Sequence, residues 1–186
     1  MNKNFLALLV VIALFSCEQV NQDNSSVVAA SSSVGETIIT QQVLDTLAES
    51  LVVNYRLVSN IPNEQCDQNK TDGNCFTVEM SLTSPIDITA TGWQIYFSHI
   101  SPVQSDQSDE FTIEHVNGDL HRISLTDAFS GFKAGESKKL IFRVNFWMLS
   151  ETDALPNYII SSENLTAKVI ASTKVAVDKD TGIEYL

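Results

Sequence analysis

The sequence predicts an all-β fold, an antiparallel β-sandwich, on three observations. Between Leu51 and Thr173 apolar residues alternate with polar ones in short runs, the period of a strand with one dry face. Polar stretches separate these runs, at the spacing typical of all-β domains. Asn117-Gly118, set between two of the runs, is a strong signal for a tight type I′ hairpin. Hydrophobic residues are 44% of the 186, enough for the core of one ordinary domain.

In chain order, residues 1–16 read as a lipoprotein signal peptide. Lys3 supplies the positive start, and the apolar run Phe5–Phe15 is too short to span a bilayer, which takes about 20 apolar residues. The run ends in Leu14-Phe15-Ser16-Cys17, similar to a bacterial lipobox, so cleavage before Cys17 and lipidation of its thiol are expected. An ordinary secretory signal with an incidental cysteine is the alternative. Glu18 after the cysteine points to the outer membrane, facing the periplasm or the cell surface. Residues 17–37, rich in Ser, Asn, Gln and Asp, read as a flexible tether. Within 38–50, Val43, Leu44, Leu47 and Ala48 fall at helical spacing, predicting a short amphipathic helix on the domain's edge.

The sandwich is expected over 51–173. Leu51, Val53, Tyr55 and Leu57 open it; Phe76, Val78, Met80 and Leu82 form a second run; Trp93, Ile95 and Phe97 form a third. Around the Asn-Gly turn, a two-residue loop would pair Glu114 with His121 and leave His115 on the opposite face; a bulged turn would reverse that. Phe129 and Phe132, in the glycine-punctuated stretch Thr126–Ser137, are expected to plug one end. Leu140, Phe142, Val144, Phe146 and Met148 share one face, opposite Lys139, Ile141, Arg143, Asn145 and Trp147. Leu165, Ala167, Val169 and Ala171 repeat the pattern, and 174–186 reads as a tail or a linker to a further domain.

Formal net charge is −12, one unit more negative once Lys3 is removed, which argues against nucleic acid and anionic head groups as partners. Cys66 and Cys75 bracket a polar loop; in an oxidising compartment they are expected to form a disulfide, and two thiols with no nearby histidine make a poor zinc site. No phosphate-cradling glycine loop or nucleophile elbow is present, and no cofactor is expected.

Three segments in fixed order, Gly92–Ile100 (GWQIYFSHI), Phe111–Ser137 (FTIEHVNGDLHRISLTDAFSGFKAGES) and Phe146–Ser161 (FWMLSETDALPNYIIS), carry a family resemblance, with Leu51–Asn60 as a weaker fourth. Together they resemble the N-terminal domain of bacterial chitobiases, the β-N-acetylhexosaminidases that finish chitin breakdown. The resemblance implies a carbohydrate-binding-module-like sandwich that binds chitin-type, N-acetylglucosamine saccharides or positions a hexosaminidase catalytic domain near them. In that family an adjacent Asp-Glu pair on a separate barrel does the chemistry. A barrel takes about 250 residues, so the chain is expected to hydrolyse nothing by itself. The alternatives are a non-catalytic fragment of a full hexosaminidase and a structural docking module.

Asp109-Glu110, in SDQSDE, matches no catalytic motif of the family and reads as a solvated loop, with a weak calcium loop as the alternative. By the hairpin parity above, His115 and His121 do not share a metal, and none is expected; His121 is assigned a structural hydrogen bond. Planar side chains on a sheet surface suit the apolar faces of sugar rings. Trp93 falls on the core side of its strand, while Trp147 and Tyr96 fall on polar faces and are the candidate sugar platforms. Contact between Trp147 and a neighbouring domain is the competing reading.

Overall fold

The computed structural model describes residues 38–148, 154–182 and 184–185; the signal peptide, Cys17 and the tether lie outside the described residues. Helix α1 spans Gln41–Ser50 and is followed by β1 (Val52–Ser59), β2 (Cys75–Thr83), β3 (Trp93–Ser98), β4 (Val103–Gln104), β5 (Asp106–Gln107) and β6 (Phe111–Asn117). The chain continues through β7 (Leu120–Leu125), β8 (Ser137–Asn145), β9 (Ile159–Ser162), β10 (Lys168–Val169), β11 (Ala176–Val177) and β12 (Glu184–Tyr185).

These strands make two antiparallel sheets, ordered β1-β2-β8-β4 and β10-β9-β3-β7-β6-β5, with β11-β12 as a separate short ribbon. The architecture is that of a β-sandwich. Val78, Met80 and Leu82 of β2 and Leu140, Phe142 and Val144 of β8 share one core with Trp93, Ile95 and Phe97 of β3, Ile113 of β6 and Ile123 of β7. Alternation produces this directly: successive side chains point to opposite faces, so the apolar set of each strand turns inward together. Helix α1 adds Leu44, Leu47 and Ala48 to the same core, and the Thr40 hydroxyl accepts the Val43 N–H at its N-terminus.

Phe129 and Phe132 close one end of the sandwich against Trp93, at ring separations of 5.5 and 6.4 Å. Gly131 between them has φ +87° and lies so close to the Ile88 carbonyl that a Cβ would meet it at 2.4 Å. Only glycine fits there. Lys138, buried at the same end, is held by Glu110 at 2.7 Å, and its ammonium stands 5.6 Å from the Phe129 ring centroid.

The structure corrects four expectations. The hairpin loop is Gly118-Asp119, not Asn117-Gly118: Asn117 pairs with Leu120, His115 with His121 and Glu114 with Arg122, with a register shift at the exposed Val116. The reason is packing. The observed register sets Ile113 against Ile123 and Phe111 against Leu125, whereas the expected one would have opposed Ile113 to Arg122 and broken the dry face. Second, β8 stops at Asn145, so Phe146 points out instead of in, and Asn145 is buried because Gln104 donates to its carboxamide at 3.0 Å. Third, Leu165–Ala171 is not one strand: only Lys168–Val169 pairs, Ala167 is exposed, and Ile170 is the buried residue. Fourth, SDQSDE is not simply solvated, since Glu110 pairs with Lys138 and Asp106 with Arg143.

Candidate functional site

Where β8 ends, the chain turns on a phenylalanine. Phe146 has φ +73°, a left-handed backbone that costs a non-glycine residue on the order of 1–3 kcal/mol, and its ring is exposed. Trp147 follows, 58% exposed. Met148 then dives back into the core. Both flanks of the indole are pinned. Phe146 N–H donates to the Asn74 carbonyl at 3.1 Å, and Met148 N–H donates to Asn60 Oδ1 at 2.8 Å while Asn60 Nδ2 donates to the Met148 carbonyl at 2.6 Å. The Cys66–Cys75 disulfide, formed as the sequence suggested, closes the loop that carries Asn74.

The segment leaving β3 supplies the opposite wall. Phe76, His99, Ile100, Ser101, Phe146, Trp147 and Met148 line a depression of about 270 Å³. Phe76, His99 and Met148 are buried and form its floor, while Ile100 stands exposed at its rim. His99 is fixed there: Nε2 lies 2.9 Å from Tyr55 Oη, and Nδ1 faces the Ser101 backbone. Among the described residues, no lysine, arginine, aspartate or glutamate lines the depression. It offers an apolar floor, an indole and a phenyl ring, and suits a neutral ligand with both apolar faces and hydroxyls.

Tyr96 is elsewhere. It lies half-buried on the outer face of the six-stranded sheet, paired across to Arg122 and Ile159. Its hydroxyl donates to Gln94 Oε1 at 2.9 Å, and the neighbouring Arg122 guanidinium is engaged by Glu114. The two sequence candidates therefore do not share a surface. Phe146 and Met148, assigned to the core from alternation, and Asn60 and Asn74 were missed as site residues. The available signal was Asn145, a poor strand former placed just before Phe-Trp.

All three histidines of the chain gather near this end, with His121 at 6.1 Å from His99 and 5.1 Å from His115 between ring centroids. The bulge, by making His115 and His121 cross-strand partners, overturns the expectation that they face opposite ways. Each ring is engaged, His115 Nε2 with the Gly118 carbonyl and His121 Nε2 with the Val103 N–H, and no cluster among the described residues has metal-binding geometry. Burial, then the neighbouring His99 and His115, push the His121 pKa down to about 4.

Fold and site thus define a β-sandwich module that displays aromatic side chains over an apolar depression. Residues 50–186 match the family described as "Putative carbohydrate binding domain", and the chain belongs to that family. A β-hexosaminidase of Vibrio vulnificus is 37% identical over 138 residues, covering 73% of this chain and 16% of that protein. The N,N'-diacetylchitobiase of Vibrio harveyi is 34% identical over 151 residues, 77% of this chain and 17% of that protein. The chain thus spans about a sixth of these curated relatives. Among solved structures, the GH20 exo-β-N-acetylglucosaminidase of Vibrio harveyi overlaps 70% of this chain and 20% of its own, at 12% identity and a TM-score of 0.44. The chitin-binding domain of Chi18aC from Streptomyces coelicolor overlaps 62% of this chain and 94% of its own, at 10% identity and a TM-score of 0.38.

Proposed function

We propose that the chain binds chitin-type, N-acetylglucosamine-containing saccharides at the Trp147 depression and has no hydrolytic activity of its own. The observation that carries this is the Phe146-Trp147 turn. Two large aromatic side chains stand next to each other in water at the mouth of an apolar depression, one of them on a left-handed backbone. Family membership supplies the ligand class, and the names of the relatives point to N-acetylated sugars. Among the described residues no carboxylate lines the depression, which supports the non-hydrolytic reading, because glycoside cleavage ordinarily uses a pair of carboxylates.

The test is retention of the purified chain on insoluble chitin, with cellulose as control and a high-salt wash to remove ionic retention. Retention should fall about tenfold or more in Trp147→Ala, the loss expected of an anchoring aromatic. Absence of retention by folded protein would overturn the reading and leave the docking alternative, in which the exposed aromatics meet a hexosaminidase catalytic domain. The length of the relatives supports that second reading.

We also infer that the chain is an exported lipoprotein tethered through Cys17, on the strength of the apolar run and the Leu14–Cys17 motif. Metabolic labelling with palmitate should mark the wild-type chain and not Cys17→Ala. Label retained in the variant would sink the anchor.

A further inference from the structure

The size, chemistry and isolation of the depression say more about how a saccharide would sit. Ligand pockets for drug-sized molecules run from about 300 to 1,000 Å³, and this one, at about 270 Å³, is smaller. Its enclosed part is about the size of one pyranose ring with a substituent.

The described surroundings offer a polymer no further exposed ring along which to continue. Among the described side chains, Phe146 and Trp147 are the only exposed phenylalanine, tyrosine or tryptophan. The outer face of the four-stranded sheet presents Arg56, Glu79, Lys139 and Ile141, with Arg56 and Lys139 both paired to Glu79. On the other sheet Tyr96 is half-buried and tied to Gln94. A flat crystalline surface is read by several coplanar rings in a row, and no such row is present among the described side chains.

The lining also discriminates between substituents. Phe76 and Met148 provide an apolar floor for a methyl group, and the described lining holds no carboxylate for an ammonium. An acetamido methyl gains there, whereas a free ammonium would be desolvated with no carboxylate among the described lining residues to offset it.

We infer that the depression is an end-reading site: it takes a single terminal N-acetylated pyranose, ring face on Trp147 and acetamido methyl toward Phe76 and Met148. This rests on the carbohydrate reading of the same site. The site would then favour soluble fragments and free chain ends over the interior of a chitin surface.

The chain has two tryptophans and Trp93 is buried, so emission changes on adding sugar report Trp147. The experiment titrates the intact chain with N-acetylglucosamine, glucosamine, N,N'-diacetylchitobiose and the N-acetylated tetramer. Expected are affinities that change by less than about threefold from disaccharide to tetramer, and glucosamine at least about tenfold weaker than N-acetylglucosamine. Affinity that climbs about tenfold or more from disaccharide to tetramer, or equal binding of the amine, would overturn the inference. Chitin retention without soluble-sugar binding would sink the end-reading mode alone; failure of both would sink the carbohydrate reading with it.

Phe146→Gly is the second variant, because glycine adopts the left-handed backbone without strain. Its thermal midpoint should hold or rise while affinity for N-acetylglucosamine drops about tenfold. Undiminished affinity in that variant would also overturn the proposal.

Discussion

His121 illustrates how much a single buried side chain can couple to its surroundings. Its ring is fully buried, Nε2 accepts the Val103 N–H at 3.2 Å, and the Asp119 carbonyl, close enough to favour the cation, already receives the His99 N–H. Burial keeps the ring neutral in the fold, with a pKa near 4 against an ordinary 6.5. As pH falls below 6.5 the unfolded chain takes up a proton that the folded chain refuses. Stability should therefore be complete above about pH 6.5 and decline by roughly 2–3 kcal/mol toward pH 4. Urea unfolding at pH 7.5 and pH 5 measures it, and His121→Gln should flatten the dependence; an equal slope in the variant would assign the effect elsewhere. The carboxylates held below their ordinary range, Glu79, Glu110, Glu136 and Asp178, act in a lower window: their stabilisation is lost only as pH falls through their depressed folded values. The three histidines could be counted in the sequence, but their convergence could not. It depends on one bulged residue, Val116, which shifts His115 opposite His121.

Strands and loops were legible to different depths. The inward sets of β1, β2 and β3 follow from alternation alone, because a strand's side-chain period is fixed by its backbone. Where strands end does not follow, because alternation carries no stop signal; β8 reads as continuing through Met148, yet Phe146 breaks it. The hairpin register was recoverable in principle from matching Ile113 to Ile123, but the Asn-Gly pair gave a competing signal and packing overrode it. The disulfide is the element that joins the fold to the site, since it closes the loop whose Asn74 carbonyl holds Phe146 N–H. Replacing Cys66 and Cys75 by serine should cost about 2–3 kcal/mol by the chain-entropy account and loosen the Phe146-Trp147 turn. Chemical denaturation checks the first effect, and tryptophan emission checks the second. A variant with unchanged stability would show that the Asn63, Asp67 and Thr71 turns hold the loop unaided.

At the scale of the whole molecule, the chain carries a net charge of −12, and no charged side chain among the described residues lines the depression. Ionic attraction to a cationic polymer would be screened at high salt, whereas a neutral sugar held by apolar contact and hydrogen bonds would not be released, which is why salt separates the two. The sequence by itself determined the all-β class, the core faces of the main strands, the cysteine pair and the family. Each is a local pattern or a short motif, set by backbone periodicity or by residues adjacent in the chain. Only the tertiary structure decided the site. Phe76, His99 and Trp147 belong to three separate segments, and they meet because the ends of β3 and β8 and the start of β2 converge at one end of the sandwich. It also separated Tyr96 from Trp147, since outward-facing residues of different sheets look alike in sequence and point to opposite sides of a folded sandwich.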